Sequence, residues 1–60
     1  GWVKDGGTWY YLHGSGAMAT GWLNLGGAWY YLSPSGDMVT GAQMINGRMY
    51  TFDASGMWMP

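Results

Sequence analysis

Four of the five tryptophans stand in two pairs, each seven residues apart, and the second pair follows the first after twenty residues. The pairs are Trp2 with Trp9 and Trp22 with Trp29. Indole rings attract cations to their faces, and arrangements of aromatic rings recognise quaternary ammonium groups. Packing of the four rings into a core is the alternative, but a small core usually contains Leu, Ile or Val, whereas a buried indole N–H needs a polar partner. The spacing therefore predicts aromatic sites for an apolar cation.

The remaining chemical groups do not predict an enzyme. The only histidine, His13, is replaced by Ser33 and Asp53 at the equivalent positions of the repeat described below, so we interpret it as a loop residue. A general base needs a positioned partner and a pocket. The three acids fall at three different repeat positions, which argues against a pair of catalytic carboxylates. With no cysteine either, we expect no catalytic residues, no metal site and no cofactor.

Composition places the chain among small folded domains. It has 60 residues, 48% of them hydrophobic and 8% charged, so we expect one folded domain and not a disordered segment. A net charge of −1 is too little positive charge for a nucleic-acid partner. No apolar run approaches the ~18 residues of a spanning helix, so we expect no membrane insertion. A core this small supplies only a few kcal/mol, which predicts dependence on stacking or on a ligand.

A twenty-residue repeat organises the whole chain. Residues 1–20 and 21–40 align without a gap and are identical at twelve of twenty positions. Residues 41–60 keep the frame but match the second copy at only five positions. End units of a stacked array are often atypical, so we interpret the third copy as a degenerate cap of a module that covers residues 1–60.

Each copy reads as a β-hairpin followed by a loop. The sequence Trp-Tyr-Tyr-Leu of the first two copies is typical of strands. A Gly-Gly pair stands just before it in these copies, and the third copy has Asn-Gly at the equivalent positions. A two-residue turn at Gly6 and Gly7 pairs Lys4 with Trp9, and opposed residues share a face. One face then carries the tryptophans, and the other carries the first tyrosine of each copy. The recurring serines, Ser15, Ser35 and Ser55, are interpreted as turn residues.

At these residues the chain resembles a known family. The pattern GW-x6-WYYL-x3-G-x-M-x-T, present in full in the first two copies, is similar to the choline-binding repeat of exported proteins of pneumococci, related streptococci and their phages. The resemblance implies an all-β solenoid, a left-handed superhelix of about three stacked hairpins, with choline held between consecutive hairpins. It also implies a secreted, cell-wall-attached protein that binds choline on teichoic and lipoteichoic acids, with any catalytic domain outside these residues.

The resemblance also implies the binding residues. Two tryptophans of one copy, a tyrosine of the next and often a methionine would surround each choline. Tyr30 is preferred to Tyr31 because the face analysis turns it toward the preceding copy. Ala42 and Met49 replace both tryptophans of the third copy, so no third site is expected. The expected choline-binding residues are Trp2, Trp9, Tyr30 and Met38 in the first site, and Trp22, Trp29 and Tyr50 in the second.

Several points stay open at the level of sequence. Trp58 stands where the first two copies have methionine, which leaves the fourth wall of the second site undefined. Tyr10, Tyr11 and Tyr31 are expected to pack in a core between hairpins or between subunits. No acid recurs near the expected sites, so ion pairing is not expected to contribute. Related aromatic repeats bind glucans or toxin receptors, and a structural or dimerisation tail is a third alternative; a homodimer is compatible with all of these.

Overall fold

The computed structural model describes residues 1–60, and its regular structure consists of six β-strands. Each twenty-residue copy contributes one antiparallel pair, as the sequence predicts. The strands are β1 (Trp2–Asp5), β2 (Thr8–Tyr11), β3 (Gly21–Leu25), β4 (Ala28–Leu32), β5 (Gly41–Ile45) and β6 (Arg48–Phe52). No helix of the structure is long and apolar enough to cross a membrane.

The predicted hairpin register is confirmed. Lys4 pairs with Trp9 and Trp2 with Tyr11 in the first hairpin, and the same register recurs in the other two. In the third hairpin, Asn46 and Gly47 have φ angles of 51° and 80°. Two successive positive φ angles are what a type I′ turn requires, and Asn and Gly are the residues that adopt them at low cost. Turn chemistry therefore sets which side chains share a face.

The three hairpins stack as a solenoid without forming one continuous sheet. Two single backbone hydrogen bonds link successive copies: the N–H of Met38 donates to the carbonyl of Trp9 at 2.8 Å, and the N–H of Trp58 donates to the carbonyl of Trp29 at 2.8 Å. Other contacts between copies come from side chains. Since backbone pairing stops at each hairpin, packing between side chains determines how the copies are placed.

Burial depends on having a neighbouring copy. Leu32 and Phe52 are 0% and 2% exposed, whereas Leu12, the equivalent residue of the first copy, is only half-buried. Ala19 and Ile45 are the other buried hydrophobic side chains. A core of four side chains in a molecule measuring 30 × 25 × 20 Å is small, which agrees with the expectation from chain length.

Candidate functional site

The first two hairpins, together with the loop of the third copy, line an open cavity of about 220 Å³ that we call cage 1. The indoles of Trp2 and Trp9 meet edge to face, with ring centroids 6.5 Å apart and planes at 87°. The ring centroid of Tyr30, from the next copy, lies 5.1 Å from that of Trp2, and the thioether of Met38 forms a fourth wall. The structure thus brings together the four residues expected at the first site.

A second cavity, cage 2, repeats this arrangement one copy later with a volume of about 330 Å³. Trp22 and Trp29 lie 6.2 Å apart at 83°, and Tyr50 lies 4.9 Å from Trp22. The wall left undefined by the sequence is Trp58, which lines the cavity. Its ring is 6.4 Å from Trp22. Cage 2 is therefore lined by aromatic side chains alone.

Strand alternation explains how each cage forms. Trp2 and Trp9 come from adjacent strands of one hairpin and project from the same face, whereas Tyr30 projects from the opposite face of the next hairpin. Trp9 and Trp29 remain 39% and 40% exposed, so these two rings border open space and are not packed as core residues. The cages consequently offer π faces from several directions to one small ligand.

A loop contact holds the methionine wall of cage 1. The buried Gly56 packs directly on the side chain of Met38, and a Cβ added at this glycine would overlap the thioether. Met18 packs on Gly36 in the same way one copy earlier. Each of these methionines therefore lies against the loop of the following copy, so cage 1 depends on residues of three copies.

Sequence reasoning missed Ser55, a loop residue of the third copy that lines cage 1. Its hydroxyl donates to the Asp53 carboxylate at 2.6 Å. The backbone N–H groups of Ser55 and Met57 donate to the same oxygen, each at 2.9 Å. The turn interpretation was correct for its backbone, but sequence spacing does not show that this loop reaches back two copies.

The sequence predicts no acid that recurs at both sites, and the structure places a single acid, Asp53, behind the lining of cage 1. The hydroxyl of Ser55, followed by the N–H of Met57, lowers the pKa of Asp53 below its usual value, because these donors favour the ionised carboxylate. In the second loop, the hydroxyls of Ser33 and Ser35 lower the pKa of Asp37 in the same way. An ionised carboxylate therefore lies one hydrogen bond away from the lining of cage 1.

A cation already occupies a position over one cage ring. The Lys4 ammonium lies 5.7 Å from the ring centroid of Trp9, within the range of a cation–π contact. Lys4 and Trp9 are directly opposed on the same hairpin face, as the register requires. The surroundings of cage 1 thus include a positive group on one side and the Asp53 carboxylate beyond Ser55.

The other tyrosines are half-buried, and two of them contact tryptophans of their own hairpins. Tyr11 and Tyr31 are half-buried and lie 5.2 Å from Trp2 and Trp22 of their own hairpins. Tyr11 pairs with Trp2 and Tyr31 pairs with Trp22, so both tyrosines lie on the tryptophan face and pack against the side of the cage rings. Tyr10 is also only half-buried.

The third hairpin presents no cavity. Ala42 and Met49 stand at the tryptophan positions, and Met49 is 57% exposed. The directly opposed Met44 is 63% exposed, so this face is a methionine surface without aromatic walls. His13 is exposed in its loop, with its ring 6.0 Å from Tyr11. The two cavities of the structure are therefore cages 1 and 2.

Comparison with known proteins identifies the family. A model described as choline-binding repeat matches residues 19–59, and a cell wall binding repeat model matches residues 1–18. The chain belongs to the choline-binding repeat family. No curated protein matches the chain at a significant level.

Solved structures share the fold of this choline-binding repeat module. Choline binding protein F of Streptococcus pneumoniae is 48% identical with a TM-score of 0.96, over 98% of this chain and 20% of that one. The choline binding domain of Spr1274 from the same species is 36% identical with a TM-score of 0.90, over 100% and 92% of the two chains. A pneumococcal endolysin of phage Cp-1, solved with choline, is 39% identical with a TM-score of 0.89, over 97% and 18%. The module thus spans about a fifth of choline binding protein F.

Proposed function

We propose that this chain is a non-catalytic module that binds two choline groups, one in each cage. The observation that carries the proposal is the recurrence of three aromatic walls around each of two cavities. Cages 1 and 2 measure about 220 and 330 Å³, which lie below and near the lower end of the ~300–1,000 Å³ range of pockets for drug-sized ligands. A trimethylammonium group is small, has no N–H to donate and is attracted to π faces, so it suits such a cavity.

The family supports this ligand. The related phage endolysin was solved in complex with choline, and it carries matching hairpins. We propose that the present module holds choline on teichoic or lipoteichoic acid and thereby attaches a larger exported protein to the bacterial cell wall. In that arrangement any catalytic activity belongs to other parts of the protein. Its localisation is then secreted and bound to the cell surface.

A choline titration followed by tryptophan fluorescence and calorimetry tests the proposal. We expect two equivalents of choline per chain, because the chain has two complete cages. A parallel titration with glucan oligosaccharides tests the carbohydrate alternative. Saturable binding of the oligosaccharide, with no response to choline, would contradict the proposal and favour a sugar-binding module.

A neutral isostere separates charge from shape. In 3,3-dimethylbutanol a tert-butyl group replaces the trimethylammonium group, so apolar contact is kept and the positive charge is lost. Cation–π contacts contribute about 0.5 to 2 kcal/mol per ring, and each cage has at least three rings, so affinity for the alcohol should fall at least several-fold relative to choline. Equal affinity for the two ligands would show that the cages are apolar slots and that cation–π attraction is absent.

A further inference from the structure

We infer that the two cages differ in selectivity, and that Trp58 allows cage 2 to accept quaternary ammonium groups with an aromatic substituent, which cage 1 excludes. This inference rests on the proposed function, since it assumes that ammonium groups enter both cages. It concerns the chemical class of ligand that each cage takes. The two cages differ chiefly at their fourth wall, where Met38 and Trp58 stand at equivalent repeat positions.

The backbone places both fourth walls in the same way. The N–H of Met38 donates to the carbonyl of Trp9, and the N–H of Trp58 donates to the carbonyl of Trp29, each at 2.8 Å. Each residue also forms an isolated antiparallel bridge with the last strand residue of its own hairpin. Because the backbone position is shared, the difference between the two walls comes from the side chain itself.

The two fourth walls present different surfaces. Trp58 lies edge-on to its neighbours, with ring centroids 6.4 Å from Trp22 and 6.1 Å from Tyr50. Four rings from three strands and one loop segment therefore border cage 2. Aromatic pairs favour such edge-to-face contacts, so a ring carried by a ligand can join the cluster. Met38 offers cage 1 only a thioether at this place.

The two cages also differ in the space that they offer to a ligand. Cage 1 is bordered by Ser55, whose hydroxyl is held by Asp53, and its Met38 wall is packed on Gly56. These contacts hold the rim of cage 1 in place at about 220 Å³, whereas cage 2 has about 330 Å³ and no such rim residue in its lining. A benzyl group on the ammonium nitrogen, which is bulkier than the hydroxyethyl group of choline, therefore fits cage 2 and collides with the rim of cage 1.

Trp58 also has a structural role that the test must separate from selectivity. It pairs with Phe52, which is only 2% exposed, so replacing Trp58 affects stability as well as the cage. The informative readout is consequently the ratio of affinities for two ligands at one cage. Loss of packing alone lowers the affinity for both ligands by a similar factor, whereas loss of the aromatic wall changes the ratio of the two affinities.

The experiment compares tetramethylammonium with benzyltrimethylammonium, using calorimetry and the five indole N–H signals in NMR spectra to assign each site. We expect tetramethylammonium to bind both cages and benzyltrimethylammonium to bind cage 2 alone. In W58M, which restores the residue found in the first two copies, the preference of cage 2 for the benzyl ligand should fall about two- to tenfold. W58F keeps an aromatic wall and should retain most of that preference, while cage 1 serves as the control within each molecule.

The outcomes distinguish two kinds of failure. If neither choline nor tetramethylammonium binds, the proposed function is wrong. If both small ligands bind but the benzyl ligand enters both cages equally or neither, the proposed function stands and the inferred selectivity is overturned. An unchanged ligand ratio at cage 2 in W58M would likewise overturn the role assigned to Trp58.

Discussion

At the scale of single residues, the ninth position of each copy supplies one wall of a cage when it is tryptophan. Trp9 and Trp29 line cavities, whereas Met49 lies at the same register position and lines none. Replacing Trp9 by alanine removes one π face and opens cage 1 to water. We expect W9A to lose about tenfold or more in affinity at cage 1 and to keep cage 2, so that calorimetry resolves one strong equivalent.

The matched control for W9A is M49A. It also replaces the side chain by alanine, at the equivalent position of a hairpin that has no cage, so choline binding should stay at two equivalents. Two undiminished sites in W9A would show that Trp9 does not contact the ligand, and loss of binding in M49A would reveal a general effect on folding.

Asp53 gives the stability of the module a pH dependence. Its pKa lies below the ordinary value of 3.8, because the Ser55 hydroxyl and the Met57 N–H stabilise the carboxylate in the folded state. As pH falls from 3.8 toward the lower pKa of Asp53 in the folded state, this carboxylate takes up a proton in the unfolded chain before it does so in the folded chain. The stability that the Asp53 carboxylate contributes is therefore present above this pH window and is lost within it.

We expect the thermal midpoint of the wild-type chain to fall as pH is lowered through that window, and the decrease to be smaller in D53N. Asp37 contributes in the same direction through Ser33 and Ser35, so D53N should retain part of the decrease. D5N, at an exposed residue of β1, is the control and should follow the wild-type curve. A D53N curve identical to that of the wild type would contradict the role of the loop carboxylate.

At the scale of elements, the loops after the hairpins connect one copy to the cage of another. Gly56 and Gly16 are equivalent loop glycines with nearly equal φ angles of 90° and 89°. A Cβ at Gly56 would overlap Met38, whereas one at Gly16 would meet nothing within 4 Å. The two positions thus share backbone strain and differ in the contact with a cage wall.

This pair allows a controlled test of the loop contact. Both G56A and G16A should lose about 1 to 3 kcal/mol of stability, because alanine is strained at such φ angles. Only G56A should also weaken choline at cage 1, since it displaces Met38, while cage 2 keeps its affinity in both variants. Equal binding by G56A and G16A in calorimetry would mean that the loop does not position the methionine wall.

At the scale of the whole molecule, the small core makes ligand binding a major source of stability. Only four hydrophobic side chains are buried, and single backbone hydrogen bonds join successive copies. Each cage draws walls from two hairpins, so a ligand bound in it connects elements that otherwise have few contacts. We therefore expect choline to act on the cooperative unfolding of all three hairpins.

The expected effect can be given a size. A ligand that binds only the folded state adds about 2.7 kcal/mol per site at a hundredfold excess over Kd. For a domain of this length, each kcal/mol raises Tm by roughly 4 to 8 °C, so saturating choline should raise Tm by more than about 10 °C. Calorimetric scans with choline, with sodium chloride at equal ionic strength and with 3,3-dimethylbutanol test this. An unchanged Tm in choline would exclude ligand-dependent stability.

The sequence determined much of this molecule because its signals are local and repeated. Turn dipeptides such as Asn46-Gly47 set the hairpin register, and strand alternation then places Trp2 with Trp9 on one face and Tyr30 on the opposite face of the next hairpin. Because the repeat length is twenty residues, the same reasoning predicts the equivalent aromatic residues of the second cage. These inferences need only the two-residue period of a strand and the φ angles of a turn.

Tertiary structure alone decided the remaining contacts of the cages, which the sequence left undefined or missed. Trp58 became a wall of cage 2, and Ser55 reached cage 1 with Asp53 behind it. No strand pairing connects one hairpin to the next, so local register cannot specify which loop meets which cavity. That placement depends on the angle at which hairpins stack, and side-chain packing such as Gly56 against Met38 sets the angle.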